Sequence, residues 1–299
     1  MGIDDLAVSM YSKGISTRKM AEILEELFYN KYSKSTVSRI TEITVPEINK
    51  WRSRPLEKRY IAIFMDAVFF SLRHETVQKE YIIFAMGIKE SGNYEIPGFN
   101  MNPVENHIAY GNVLMDLHER GVEEPLLFVA DGLPGIEEEI RQLYPGSDFQ
   151  LCTVHASRNF ESHVRVQDRN EIDSDLKGIF LSRSREDALD QFNAFRDKWS
   201  SKYPRPVYNM ERNMGILLKY YDYPESIRRS IHSTNLIERM NKEIRRRIKI
   251  IDSLPSEESA MKMIYLRSAE INEKWSLRSL RGFYKCQDEI REMFQKRYP

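Results

Sequence analysis

The chain has 299 residues, 41% of them hydrophobic, and its 45 basic residues equal its 45 acidic residues in number. This length is enough for two domains with a sizeable core, and the longest apolar stretch, residues 61–70, is far shorter than the roughly 20 residues of a membrane span. With a start that shows no signal-peptide pattern, these features argue against a membrane protein and favour a cytoplasmic one with reduced thiols at Cys152 and Cys286.

The first 54 residues have a helical pattern and are predicted to form a helix-turn-helix module. Apolar residues recur at helical spacing from Leu6 to Leu27, with Gly14 between two helices. A further helix is predicted to begin at Ser35 or Thr36, and the N-terminal end of such a helix can reach base edges and phosphates. The predicted DNA-contacting residues are Lys34, Ser35, Thr36, Ser38 and Arg39. A small helical bundle used for dimerisation would show the same pattern.

Beyond Pro55 the apolar spacing changes from helical to strand-like, which marks a domain boundary. The predicted elements are strands at 60–70, 79–88 and 93–100, a helix over 104–120, a strand at 126–130, a helix over 134–144 and a strand at 148–154. Short connections make the first three strands an antiparallel meander. The order βββαβαβ is that of a ribonuclease-H-like α/β fold, a mixed sheet with helices on its faces.

The remaining chain is predicted to be helical. Residues 157–224 contain an apolar stripe at helical spacing that includes Phe192 and Trp199, and they are predicted to form an all-helical insertion. A later helix begins near Thr234 and returns the chain to the core. The predicted domains are therefore 1–54, 55–156, 157–224 and 225–299, the last with basic C-terminal helices.

Three carboxylates stand out in this plan. Asp66 interrupts an apolar strand, Asp131 closes another, and Glu238 lies on the late helix. Asp is disfavoured in strands and rarely buried alone, and a bound divalent cation would explain it, because Mg²⁺ and Mn²⁺ prefer oxygen ligands. In the predicted sheet the strands of Asp66 and Asp131 are neighbours. The alternative for Asp131-Gly132 is a simple turn.

The charges are unevenly distributed along the chain. Residues 1–60 contain 11 basic and 8 acidic residues, and residues 225–285 contain 14 and 8, whereas residues 61–224 contain 17 and 26. Basic ends around an acidic middle fit a protein that grips a polyanion and holds metal ions at its centre. A generic enzyme with solvated charged helices would show the same asymmetry.

Several motifs together resemble the Mutator-type DDE transposases of bacterial insertion sequences. These motifs are Met65-Asp66-Ala67, Arg120-Gly121-Val122, Val129-Ala130-Asp131-Gly132-Leu133, Gln150-Leu151-Cys152-Thr153-Val154-His155, Lys198-Trp199 and Thr234-Asn235-Leu236-Ile237-Glu238-Arg239-Met240-Asn241. Their order and spacing match the family from about residue 5 to 283. Family members carry further residues upstream of the helix-turn-helix, so this sequence is expected to be a fragment or a short relative.

The resemblance implies a ribonuclease-H-like core that cuts and joins double-stranded DNA at element ends. It implies that Asp66, Asp131 and Glu238 are the catalytic and metal-binding acids. In the expected mechanism two Mg²⁺ or Mn²⁺ ions bind, Asp66 bridges them, and each of the other acids completes one ion's shell. A transposase must hold two element ends, so a homodimer or larger assembly on element-end and target DNA is implied, associated with the nucleoid.

Two further groups of residues have competing interpretations. Cys152 and His155 lack a second ligand pair for structural zinc; they are predicted to lie beside the active site, with strand packing and metal ligation as the alternatives. The Glu238 helix also carries a basic stripe, which either binds phosphates or is a solvated face. The predicted DNA-contacting residues on this helix are Asn241, Lys242, Arg245, Arg246 and Lys249.

Two other functions remain open at this point. One is a metal-dependent DNA nuclease that does not join strands. The other is a non-catalytic DNA-binding regulator descended from a transposase, against which the three intact acids argue. An assay that supplies pre-cut 3′ ends and looks for joined product separates the first from a transposase, and an absence of metal-dependent cleavage would favour the second.

Overall fold

At the centre of the protein lies a six-stranded mixed sheet. The structure, a computed structural model, describes residues 3–12, 15, 17–28, 45–73, 77–248 and 257–299. Its strands are β1 (Arg59–Arg73), β2 (Val77–Lys89), β3 (Tyr94–Asn102), β4 (Glu124–Pro125), β5 (Leu127–Ala130) and β6 (Asp148–Leu151). They lie in the order β3-β2-β1-β5-β6, and the two-residue β4 also pairs with β1.

β1 is the central strand, and it pairs with β5 as the predicted sheet requires. It forms the predicted antiparallel meander with β2 and β3, and on its other side β5 and then β6 run parallel to it. Residues Tyr60 to Met65 are all fully buried. A continuous apolar run of this kind is expected where a strand is covered on both faces.

Helices precede, cover and follow the sheet. They are α1 (Ile3–Ser12), α2 (Thr17–Phe28), α3 (Val45–Arg52), α4 (His107–Glu119), α5 (Ile136–Leu143), α6 (Thr153–Ser162), α7 (Arg169–Phe180), α8 (Arg185–Trp199), α9 (Pro204–Arg212), α10 (Met214–Leu217), α11 (Glu225–Ile231), α12 (Asn235–Ile248), α13 (Glu257–Ser276) and α14 (Gln287–Arg297). Within the ranges that the structure describes, no helix is long and apolar enough to cross a membrane.

The N-terminal module is described only in part. α1 and α2 match the two helices predicted on either side of Gly14. The third predicted helix falls outside the described residues, so the helix-turn-helix stays a prediction. The predicted DNA-contacting residues outside the described part of the chain are Lys34, Ser35, Thr36, Ser38, Arg39 and Lys249.

The strand predicted at 148–154 is shorter than expected. β6 ends at Leu151 and α6 begins at Thr153. The reason is the side chain of Cys152, which lies at the N-cap position and accepts a hydrogen bond from the backbone N–H of His155 over 3.5 Å. Thr153 and Val154 favour strands, and cysteine is not a usual N-cap residue. The sequence pattern therefore did not indicate that a helix begins here.

Gln150 joins the sheet to the helical segment that follows it. Its buried side-chain amide donates to the carbonyl oxygens of Leu151 and Leu217 at 2.7 and 2.9 Å. Its side-chain oxygen accepts from the backbone N–H of Tyr220 at 2.8 Å. Because a buried amide with all these partners fixes its surroundings, the end of the helical segment is held against the end of β6.

Candidate active site

Asp66 lies in the middle of β1, opposite Phe84 of β2, with 9% of its surface exposed. Asn241 on α12 donates a hydrogen bond from Nδ2 to Asp66 Oδ2 over 2.6 Å. Burial raises the pKa of Asp66 to about 6, and the negative charges of Asp131 and Glu238 add to the effect, although His155 and Asn241 oppose it. An ionised Asp66 is therefore costly unless a positive charge approaches it.

Asp131 follows directly after β5 and lies beside Asp66. The parallel register pairs Phe64 with Val129, so Asp66 and Asp131, each two residues further along, occupy equivalent positions on adjacent strands. Burial raises the pKa of Asp131, against the opposing effects of His155 and the backbone N–H of Leu133. Its Oδ1 is buried without a hydrogen-bond partner, and an unpartnered buried carboxylate oxygen is costly unless a cation binds it.

Glu238 lies in the first turn of α12. Ile237, Met240 and Ile244 are buried against the sheet at helical spacing, which fixes the rotation of the helix. The carboxylate of Glu238 is ion-paired with Arg158 of α6, at 2.9 Å between Nη1 and Oε1 and 3.4 Å between Nη2 and Oε2. His155 Nε2 also lies 3.6 Å from Oε1.

The donor set fits a divalent cation only in part. Asp66 and Asp131 offer neighbouring carboxylates, and Asp131 Oδ1 is buried without a partner; oxygen ligands of this kind suit a hard cation. Glu238 instead has Arg158 and His155 as its partners. Accordingly, across the described residues, no group of three His, Cys, Asp or Glu side chains is arranged to hold a metal ion.

Cys152 connects the end of the sheet to the start of α12. Its backbone N–H donates to the carbonyl oxygen of Ala130, immediately before Asp131, over 2.8 Å. Its buried sulfur accepts hydrogen bonds from the backbone N–H groups of Thr234 at 3.3 Å and of His155 at 3.5 Å. The carbonyl oxygen of Thr234 in turn accepts from the Glu238 N–H at 2.8 Å. One sulfur atom thus sets the spacing between Asp131 and the Glu238 helix.

His155 supplies positive charge beside the acids. Its interaction with Cys152 and the negative charges of Asp66 and Asp131 raise the pKa of His155 to about 9, although burial works in the opposite direction. The ring is therefore protonated at neutral pH. With Arg158 it compensates the carboxylates.

The predicted DNA-contacting residues of α12 differ in how exposed their side chains are. Lys242 and Arg246 are exposed. Arg245 is half-buried, with its guanidinium carbon 5.5 Å from the centroid of the Phe69 ring. Asn241 is only 3% exposed and donates to Asp66, so its predicted role as a phosphate contact is corrected to that of a partner of Asp66.

Two residues near the site have no counterpart in the sequence prediction. Arg158 shares a face of α6 with His155, three residues away. This spacing becomes informative only once α6 is known to begin at Thr153. Glu105 is a fourth acid near the pair, since burial and then the charge of Asp131 raise its pKa. The hydroxyl oxygen of Tyr110 lies 3.5 Å from Glu105 Oε1. No pattern around Glu105 pointed to the site.

Comparisons with known proteins cover nearly the whole chain. A sequence model of the family described as Transposase, Mutator family, matches residues 2–278. The transposase for insertion sequence element IS1201 of Lactobacillus helveticus is 34% identical over 257 residues, covering 86% of this chain and 70% of that protein. The transposase for insertion sequence element IS905 of Lactococcus lactis subsp. lactis (strain IL1403) is 34% identical over 292 residues, covering 98% and 74%.

A more distant relative and a solved structure were also found. The transposase for insertion sequence element IS256 in transposon Tn4001 of Staphylococcus aureus is 31% identical over 274 residues, covering 90% of this chain and 70% of that protein. Among solved structures, a chain of the Drosophila P element transposase strand transfer complex is similar to 99% of this chain and covers 86% of its own length, with a TM-score of 0.37 and 14% identity.

We expect Asp66→Asn to raise the free energy of unfolding at pH 7 without divalent cations, by about 1–3 kcal/mol. The folded-state pKa of Asp66, about 6, exceeds its ordinary value of 3.8. Ionisation of Asp66 therefore destabilises the folded state relative to the unfolded state, and this effect is complete above pH 6. The advantage of the variant should therefore shrink as pH falls from 6 and vanish near pH 4. Urea denaturation at several pH values measures it.

The matched control is Asp190→Asn, since Asp190 is exposed on α8; this variant should change the unfolding free energy little at either pH. The account of Asp66 fails if Asp66→Asn has no advantage at pH 7. It also fails if the same advantage persists at pH 4.

We expect Cys152→Ala to lower the free energy of unfolding by about 1–3 kcal/mol, because two buried N–H groups lose their acceptor. Cys152→Ser keeps an acceptor and should recover part of the loss. The matched pair is Cys286→Ala and Cys286→Ser, since the Cys286 sulfur donates to carbonyl oxygens instead of accepting. Equal stability of Ala and Ser at position 152 in urea denaturation would contradict the capping role.

Proposed function

The chain belongs to the Mutator family of transposases, and we propose from this premise that it cuts and joins DNA at insertion-sequence ends by metal-dependent phosphoryl transfer. The observation that carries the proposal is the pair Asp66 and Asp131. They occupy equivalent positions along β1 and the end of β5, Asp66 buried and Asp131 half-buried, and Asp131 Oδ1 is buried without a partner. Such a pair costs free energy in a protein that does not bind a cation.

The sheet supports a ribonuclease-H-like core. An antiparallel meander is followed by two strands parallel to β1, and the central strand carries an acid at its middle. Ligands of open α/β sheets bind beyond the carboxyl ends of parallel strands, which is where Asp131 follows β5. The proposed active site therefore lies at the edge of the sheet that this topology favours.

Asp66 and Asp131 are the proposed ligands of divalent cations, two Mg²⁺ or Mn²⁺ ions, with Glu238 completing the set. When bound, such ions activate the attacking oxygen and stabilise the leaving oxygen of an in-line displacement. Asn241 holds the Asp66 carboxylate in one orientation through its hydrogen bond to Oδ2. Cys152 keeps α12, and so Glu238, at a fixed distance from Asp131.

Arg158 is the proposed partner of a DNA phosphate. Its guanidinium holds both oxygens of Glu238 in a fork, and the same fork geometry fits a phosphate. The side chain is 55% exposed, so it can turn outward when DNA arrives. Glu238 would then be released toward Asp66 and Asp131, and substrate binding would complete the ligand set.

Double-stranded DNA is the proposed substrate, both as element ends and as target. Lys242 and Arg246 on the exposed face of α12 would contact its backbone beside the acids. The N-terminal module would contribute to recognition of the ends. Because two ends must be joined, we propose a homodimer or larger assembly on DNA, acting in the cytoplasm at the nucleoid.

We expect the wild-type protein to join pre-cut 3′ ends of its element into a supercoiled plasmid when Mg²⁺ or Mn²⁺ is present. Asp66→Asn, Asp131→Asn and Glu238→Gln should each reduce the joining rate by about a thousandfold or more, equivalent to about 4 kcal/mol of lost transition-state stabilisation. Asp190→Asn, which changes an exposed acid on α8, should retain the wild-type rate. Gel analysis of the plasmid measures all four variants.

Three results would contradict parts of this proposal. Cutting without joining would make the chain a nuclease. Full joining by Asp66→Asn would remove that residue from the chemistry. DNA binding with no metal-dependent cleavage would make the chain a DNA-binding regulator.

A further inference from the structure

A cleft of about 560 Å³ opens beside Asp131, between the loop after β5 and the helices α6 and α9. Asp131 and His155 form part of its wall, so it is continuous with the candidate active site. Ligand sites in proteins typically have volumes of about 300–1,000 Å³. The cleft has room for one nucleotide but not for a DNA duplex.

The floor of the cleft is apolar and fixed in place. Phe160, Met210 and Leu217 line it, and all are buried. The Phe160 ring packs edge-on against Phe195 with 5.3 Å between centroids, and the carbonyl of Leu217 is held by the side chain of Gln150. An apolar floor of this kind suits the flat face of a ring, and nucleobases stack on such surfaces.

The walls carry amide side chains. Asn159, Asn209 and Asn213 line the cleft, and an amide offers both donors and an acceptor, as the edge of a base does. The Asn213 amide donates to the backbone oxygen of Asn209 at 2.9 Å, which ties the end of α9 to α10. Amides therefore line the cleft on both the α6 side and the α9 side.

The charges of the lining favour a ligand attached to phosphate. Arg205 lines the cleft from α9 and carries a positive charge. Among the residues that line it, all within the described part of the chain, Asp131 is the one carboxylate. A cationic ligand would find little to bind beyond Asp131, whereas a phosphate at the mouth would meet positive charge.

We propose that this cleft binds a single unpaired nucleotide of the DNA substrate, next to the phosphate that reacts at Asp66 and Asp131. The inference rests on the proposed function, because the nucleotide must be part of a strand whose backbone passes the acids. A base that leaves the stack of the duplex can enter a pocket that is too narrow for the duplex itself. The amide walls and apolar floor hold that base while the backbone is cut or joined.

The test compares two DNA probes in metal-free buffer, where no strand is cut. One is a duplex of random sequence, and the other is the same duplex with one unpaired 2-aminopurine nucleotide. The wild-type protein should bind the second probe about tenfold more tightly. Binding should also protect the 2-aminopurine fluorescence from quenching by acrylamide, because the base enters the cleft.

Asn209→Trp fills the cleft from an exposed position on α9 and should abolish both the preference and the protection. Asn193→Trp is the matched control, since Asn193 is exposed on α8 and does not line the cleft. It should keep the wild-type affinities for both probes. Circular dichroism of the two variants checks that each is folded.

The outcomes separate this inference from the proposed function. Equal wild-type affinity for the two probes overturns the cleft assignment and leaves DNA binding intact. A preference that survives in Asn209→Trp also overturns it, because the nucleotide then binds elsewhere. Failure to bind either probe overturns the DNA-binding part of the proposed function itself.

Discussion

Two carboxylates lie side by side at the site, Asp66 buried in β1 and Asp131 half-buried directly after β5, and their negative charges determine what surrounds them. Asp66 and Asp131 repel one another, and burial removes the water that would screen them. The fold brings them together because the parallel register of β1 and β5 leaves no other arrangement. Glu238 adds to that cost, whereas two other polar neighbours lower it. Asn241 donates to Asp66, and His155 contributes a positive charge.

The same two charges account for the geometry of the surrounding helices. Positive charge must reach the acids from outside the sheet, and α6 carries it in His155 and Arg158. α6 can begin where it does only because the Cys152 sulfur caps it, and that sulfur also receives the N–H of Thr234 at the start of α12. Both helices therefore meet the sheet at one point. The cleft beside Asp131 lies along α6 and shares this fixed corner.

The sequence was informative where the signal was local. An acid in an apolar run and an acid after a second run predicted the pair Asp66 and Asp131, because strand order followed from element order. Contacts between segments that are distant in the chain could not be predicted from the sequence. Arg158 contacts Glu238, which lies 80 residues later in the chain. Predicting this contact would have required knowing where α6 begins. Asn241 was predicted to contact DNA phosphate together with the basic residues of its helix, and only the packing of α12 shows that its side chain faces Asp66.

Asp66 and Asp131 are the proposed ligands of divalent cations, and titration of the protein with Mn²⁺ by calorimetry measures that binding. Protonation of Asp66, whose pKa is about 6, competes with the cation. We expect saturable Mn²⁺ binding at pH 7 that weakens progressively as pH falls through 6, and loss of this binding in Asp66→Asn. Mn²⁺ binding of equal strength at pH 5 and pH 7, or in the variant and the wild type, would show that Asp66 is not a ligand.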